Sequence, residues 1–280
     1  MAFSGHRARK RFGQHWLIDE SVLDQIIQAA ELNPQDRVLE IGPGRGALTQ
    51  RLLSSPAASI HAIELDRDLV SGLQQKFGQN NRFSLHQGDV LKTSLDPPDR
   101  QQANKVVANI PYNITGPLLE RLIGSLACPA EPTFERLVLL LQKEVAERIL
   151  ARPGESNFSA MSVRLQLLSK GRRICRVPPR CFQPAPKVHS TVIALEPFNR
   201  SDQLDSALAM QVADLLQKAF VARRKKLRNS LATLRPEPEL SHIADVAGIS
   251  LNQRPQELSP TAWVNLARGM NQSNQGGCEP

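Results

Sequence analysis

Arg37-Val-Leu-Glu-Ile41-Gly-Pro-Gly-Arg-Gly46 is the stretch from which the rest of the chain can be read. A short, largely apolar run ends in alternating glycines, and Ala47 to Ser54 then has the period of a helix. Gly42 and Gly44 let the backbone turn tightly and come close to a ligand that a side chain would exclude. The helix N-terminus beyond them favours an anion or carboxylate. Working outward, Ser59 to Glu64, Arg82 to His86, Lys105 to Ala108 and Arg136 to Leu141 read as further strands, with a helix over Arg67 to Phe77. Strands alternating with helices predict an α/β fold, an open, mostly parallel sheet covered on both faces. Ligands of such sheets bind beyond the carboxyl ends of the strands. That singles out Glu40 to Gly46, Glu64, Asp89 and Asn109.

The glycine loop alone leaves the chemistry open. Gly42-x-Gly44-x-x-Ala47 also satisfies the dinucleotide fingerprint of a nicotinamide-dependent oxidoreductase, although no Gly-Lys-Ser/Thr follows to make a P-loop. Glu64, about twenty residues on, can accept hydrogen bonds from ribose hydroxyls. Two further strand ends favour a different reaction. Gly88-Asp89 places a carboxylate where the exocyclic amine of a bound adenine can be received, and Asn109-Ile-Pro-Tyr112 closes the fourth strand. Hydride transfer has no use for that tetrapeptide, whereas methylation of an amine does. The adenine N6 lone pair is delocalised into the ring, and two acceptors aimed at its protons can draw the nitrogen toward a tetrahedral shape. Asn109 can offer a side-chain carbonyl and Ile110 a backbone one, which Pro111 holds by fixing its own φ and biasing Ile110 toward an extended conformation. Tyr112, the single tyrosine of the chain, offers a flat face for an extruded base, worth about 1–3 kcal/mol. With a sulfonium as methyl donor, alignment can supply on the order of 7–11 kcal/mol, and no metal is required.

Composition narrows the partners. The 280 residues are 41% hydrophobic with a net charge of +8, enough for a packed core. The longest apolar run considered, Leu137 to Leu141, suits a buried strand and not a bilayer span. Trp16-Leu17-Ile18 ends at once in Asp19 and Glu20, so a signal peptide is not expected and the cytoplasm is the expected compartment. Cys128, Cys175, Cys181 and Cys278 form no zinc spacing. Cations are segregated. Ser156 to Leu195 holds no acid but seven basic residues, from Arg164 through Lys170, Arg172, Arg173, Arg176 and Arg180 to Lys187. Lys218, Arg223, Arg224, Lys225, Lys226 and Arg228 form a second cluster, and Arg7, Arg9, Lys10 and Arg11 a third. Each alone suits a solvated surface; together they suit a nucleic acid. Beyond Pro197 the pattern is helical only, so residues 1–198 are expected to form the sheet domain and 199–280 a small all-helical domain with a frayed tail from Asn271.

These segments together resemble the KsgA-type rRNA adenine N6,N6-dimethyltransferases, relatives of the erythromycin-resistance methyltransferases. The likeness runs from about Arg9 to Trp263, through Arg9-Lys-Arg-Phe-Gly-Gln-His-Trp-Leu17, the glycine loop, Glu64-Leu-Asp66, Gly88-Asp89 and Asn109-Ile-Pro-Tyr-Asn-Ile114. It continues with Leu141-Gln-Lys-Glu-Val145, Phe182-Gln-Pro-Ala-Pro-Lys-Val188 and Arg223-Arg-Lys-Lys-Leu-Arg-Asn-Ser-Leu231, the last two being the most specific. The resemblance implies a class I methyltransferase Rossmann-like sheet of seven strands. It also implies that His15, Leu17, Gly42, Gly44, Glu64, Asp89, Val90 and Asn109 contact S-adenosylmethionine. Asn109, Ile110, Pro111 and Tyr112 would then hold the target base, with Phe182 as a second aromatic wall, although a Phe under a proline-rich loop also suits a core. Arg223, Arg224, Lys225, Lys226 and Arg228 would meet RNA. The implied substrate is a pair of adjacent adenosines near the 3′ end of 16S rRNA in the small ribosomal subunit, each dimethylated by a monomer. An RNA-binding assembly factor with secondary catalysis is the alternative reading. One departure is marked: the family's N-terminal motif often has Asn-Phe where this chain has His15-Trp16, and a neutral imidazole offers one donor and one acceptor.

Overall fold

The computed structural model describes residues 9, 13–97, 101–131 and 134–275, with side chains as far as Asn271. Arg7, Lys10, Arg11, Gly276, Gly277 and Cys278 therefore lie outside the described residues. The elements in chain order begin with β1 (Trp16–Leu17), α1 (Glu20–Ala30), β2 (Arg37–Ile41), α2 (Ala47–Ser54), β3 (Ser59–Glu64) and α3 (Arg67–Phe77). There follow β4 (Phe83–Gln87), β5 (Lys105–Asn109), a 3-10 turn over Tyr112–Ile114, α4 (Thr115–Ile123), β6 (Arg136–Gln142) and α5 (Lys143–Ile149). The remainder is α6 (Ala160–Leu168), β7 (Ser169–Val177), β8 (Phe182–Gln183), β9 (Ser190–Pro197), α7 (Ser206–Val221), α8 (Leu227–Leu231), α9 (Glu237–Val246) and α10 (Pro260–Gln275).

Seven strands form one sheet in the order β4-β3-β2-β5-β6-β9-β7, and the first five run parallel. β9 enters antiparallel to β6. Strand interiors are apolar on both alternations: Val38 and Leu39, Val106 and Val107, Leu139 and Leu140 are all buried. Such runs need helices on both faces, as parallel sheets require. The register aligns the strand ends. Ile41 pairs with Ile63 and with Ala108, so the next residues, Gly42, Glu64 and Asn109, stand side by side. Glu64 in turn pairs with Gln87, two residues before Asp89. The one buried ion pair of note lies at the other end of the strands. Lys105 Nζ donates to Asp36 at 2.8 Å and to the Ala30 and Glu31 carbonyls, so it also closes the C-terminus of α1.

By contacts, the chain divides into two compact units, Met1–Ile123, Ala130–Ala146 and Gly171–Pro197 against Gly124–Pro129, Glu147–Lys170 and Phe198–Pro280. This differs in detail from a single break near residue 198. α6, which the composition does not separate from the strands around it, packs with α7 and α10 through buried Val163, Leu165 and Leu168. In that helical unit Trp263 is fully buried, 5.9 Å from the Phe220 ring. α10 continues to Gln275, so the helix runs through the first half of the tail expected to fray. No helix among the described residues is long and apolar enough to cross a membrane.

Candidate active site

The loop after β2 is shaped by glycines in the left-handed region. Gly44 has φ +60, and a Cβ there would stand 2.8 Å from Trp16 Cδ1. A side chain at 44 would thus both strain the backbone and collide with the indole. The loop is tied to the next strand by Glu64, whose Oε2 accepts from Gly44 N at 3.1 Å and whose Oε1 accepts from Asp66 N at 2.8 Å. Burial pushes the Glu64 carboxyl up, against the pull of those two amides. A cavity of about 360 Å³ opens over this rung, lined by Gly42, Gly44, Glu64, Asp89, Val90 and Asn109 on one side and by Ile110, Pro111, Tyr112 and His15 on the other. Asp89 Oδ1 accepts from Leu91 N at 2.9 Å, which turns its carboxylate back over the end of β4.

The wall beyond β5 is built by specific hydrogen bonds. Ile110 N donates to Leu140 O at 3.0 Å, prolonging the β5–β6 ladder by one residue. The Asn109 side chain Nδ2 donates to the His15 carbonyl at 2.9 Å. That bond settles which end of the carboxamide is engaged, and it leaves Oδ1 as the acceptor on the other branch. Tyr112 is held by its hydroxyl, 2.6 Å from Ser190 Oγ on β9. Burial pushes the phenol up, with Ser190 pulling the other way. The His15 ring lies against Tyr112, with centroids 5.7 Å apart and planes 23° apart.

A strap formed by residues 13–18 roofs the cavity and is secured at several points. β1 pairs antiparallel with β8, matching Trp16 with Gln183 and Leu17 with Phe182. Gln14 Nε2 donates to Asp66 Oδ2 at 2.9 Å, and Arg9 pairs with both Asp66 and Asp68. Arg45 lies 3.8 Å from the Trp16 ring centroid, a cation–π contact across the glycine loop.

Phe182 does not join this wall. It is 4% exposed and belongs to the hydrophobic cluster with Leu17, Leu23, Val177 and Cys181. The strand pairing with β1 brings it beside Leu17, and the ring is spent on packing. The expectation of a second aromatic plate is corrected accordingly. Leu17 is also buried at 5% and lines an adjoining cavity of about 280 Å³ together with Glu40, Gly42, Arg45 and Asn109. Glu40 carries a signal the sequence reading passed over, an acid inside a four-residue buried run. It is 1% exposed, and neither oxygen has a hydrogen bond of normal geometry. Burial pushes its carboxyl up to about 8, opposed by Thr49 beside it and reinforced by the Glu64 charge.

The basic segment belongs to the helical unit. Arg223 donates to the Ser156 carbonyl, Lys226 Nζ to Asn252 Oδ1 at 3.3 Å, and Arg228 stands 3.9 Å from Glu237. Arg224 and Lys225 are exposed, with no carboxylate partner among the described residues.

The profile of the family described as ribosomal RNA adenine dimethylase matches residues 5–272. A Ribosomal RNA small subunit methyltransferase A of Parasynechococcus marenigrum (strain WH8102) is 64% identical over 272 residues, covering 97% of this chain and 90% of its own. Its counterpart in Prochlorococcus marinus (strain MIT 9303) is 62% identical over the full length of both. Among solved structures, a dimethyladenosine transferase from Plasmodium falciparum superposes with a TM-score of 0.77 at 28% identity, over 93% of this chain and 98% of that one. The 23S rRNA methyltransferase ErmE follows with a TM-score of 0.73 at 26% identity, over 92% of this chain and 100% of that one. Sheet order, strand-end residues and these matches agree: the chain belongs to the ribosomal RNA adenine dimethylase family.

Proposed function

We propose that this rRNA adenine methyltransferase uses S-adenosylmethionine to dimethylate N6 of two adjacent adenosines near the 3′ end of 16S rRNA in the cytoplasm. The residues present suit that cofactor. Glu64 faces the cavity with two oxygens already oriented by backbone amides, as ribose hydroxyls require. Asp89 is placed to receive the adenine amine, beside Val90. The Gly42–Gly44 turn gives backbone access at the start of α2, and the unsatisfied, buried Glu40 carboxyl suits the ammonium of an amino-acid tail. His15 and Leu17 close the strap over that end. When bound, S-adenosylmethionine supplies an electrophilic methyl on a sulfonium leaving group.

The observation that carries the reading is the Asn109 Nδ2 bond to the His15 carbonyl. With its NH2 engaged there, Asn109 offers Oδ1 to one N6 proton, and the Ile110 carbonyl takes the other. Pro111 holds that carbonyl, and Tyr112, pinned by Ser190, stacks the base. Arg224 and Lys225, free of carboxylates, are the cations of the basic segment left to meet phosphates; Arg223, Lys226 and Arg228 shape the loop that carries them. The test replaces Asn109 with Ala and follows methyl transfer to small subunits that lack the mark. A loss of about 10²-fold or more in kcat is expected, and a wild-type rate refutes the role of this side chain.

A further inference from the structure

A nitrogen that receives a methyl group still has a proton to lose. Each transfer turns a neutral exocyclic amine into a cation, and the two carbonyl oxygens that hold it are far too weakly basic to carry that proton away. The strap places a better acceptor in the same wall. His15 lines the cavity beside Asn109 and Pro111, with its ring against Tyr112. Its Nδ1 is 2.8 Å from the Pro184 carbonyl oxygen. A carbonyl only accepts, so Nδ1 carries the hydrogen and the neutral ring keeps its lone pair on Nε2. Its backbone carbonyl meanwhile holds the Asn109 carboxamide. Imidazole and carboxamide are therefore fixed relative to each other through a single residue. The side chain is partly exposed, which leaves the proton a way out.

We propose that His15 Nε2 accepts the proton shed by N6 in each methylation, an assignment that rests on Asn109 and Tyr112 being the base site. The N6 lone pair forms the N–CH3 bond as the S–CH3 bond breaks, with that electron pair staying on sulfur. The N6–H bond then breaks, its electrons return to N6, and the proton passes to Nε2 and from the imidazolium to water. The other ionisable groups on this cavity are otherwise occupied. Glu64 on β3 accepts the Gly44 and Asp66 amides, Asp89 beyond β4 accepts Leu91 N, and the Tyr112 hydroxyl is bonded to Ser190. Arg9 on the strap side is paired with Asp66 and Asp68, and the β8 side meets the ring through the Pro184 carbonyl.

The decisive variant is His15→Asn, which can still donate to Pro184 but has no basic nitrogen. Single-turnover methylation of unmarked subunits is measured from about pH 5.5 to about 8.5, alongside calorimetric binding of S-adenosylhomocysteine. Wild type should lose rate on the acid side as the imidazole protonates. H15N should be slower by about 10²-fold, should lack that acid limb and should bind S-adenosylhomocysteine as wild type does. Independently of turnover, 15N-histidine spectra of the free enzyme should show His15 with its hydrogen on Nδ1. The proposal is overturned by an H15N profile that keeps the acid limb, by a change confined to KM for S-adenosylmethionine, or by an Nε2–H tautomer. An active N109A enzyme would instead sink the base site beneath it, so the two failures are separable.

Discussion

Replacing Glu40 with Gln removes a titration that the structure predicts to be visible in stability alone. The carboxyl sits inside β2 without a normal hydrogen bond, and burial lifts it from 4.5 to about 8. The folded state therefore keeps a proton that the unfolded chain gives up. The stability from this group is fully present below pH 4.5 and is lost as pH rises through about 8. Each pH unit in that window is worth about 1.4 kcal/mol, so the whole swing is at most about 5 kcal/mol. For a chain of this size that is on the order of 10 °C in Tm. Glu64 is also raised by burial and adds to the wild-type slope in the same direction, so the difference between wild type and E40Q isolates Glu40. Scanning calorimetry of both proteins without cofactor, from about pH 5 to about 8.5, reads this difference directly. E40Q should give the flatter curve whatever its absolute stability. Parallel curves would refute the reasoning, because they would mean that Glu40 ionises in the folded state as it does in water.

Gly44→Ala forces a Cβ to 2.8 Å from Trp16 and strains a backbone at φ +60; KM for S-adenosylmethionine should rise about tenfold or more at little cost to the sheet, as initial-rate kinetics would show. Tyr112→Ala should lose the stacking contact and about 1–3 kcal/mol in kcat/KM, whereas Y112F, which loses only the Ser190 bond, should stay within a few-fold of wild type. Lys105→Met leaves Asp36 buried without its cation; denaturant unfolding should show a loss of about 3–5 kcal/mol. A double R224A/K225A variant should bind unmarked subunits more weakly with a salt slope smaller by about 2, and an unchanged slope would remove these cations from the RNA contact.

The glycine loop and its flanking strands were legible because local pattern and tertiary context agree there. β2, α2, β3 and α3 fall on the residues expected, and β4 is displaced by one position, from Arg82–His86 to Phe83–Gln87. The rung of Gly42, Glu64 and Asn109 follows from parallel register once the strands are known. What the sequence hid was long-range or two residues long. The β1–β8 pairing joins positions more than 160 apart in the chain, with no periodicity to announce it. It also decided Phe182, whose fate as plate or core depended on which face that short pairing turned inward. Arg9 read as one more cation of a basic tail, yet it is consumed by Asp66 and Asp68. Glu40 was visible and undervalued: inside a strand covered on both faces, an acid has nowhere to go but the interior.

The strap's bond to Asn109 has a bearing on how little of this protein can be dispensed with. The residue that orients the reactive carboxamide lies 94 positions upstream and contributes only a main-chain oxygen. A fragment starting after Leu17 would retain every strand of the large sheet, yet its amide at 109 would be free to flip, showing nitrogen where oxygen is wanted. Correct folding and competent chemistry are thus secured by different stretches of the chain, and trimming the N-terminal end would uncouple them.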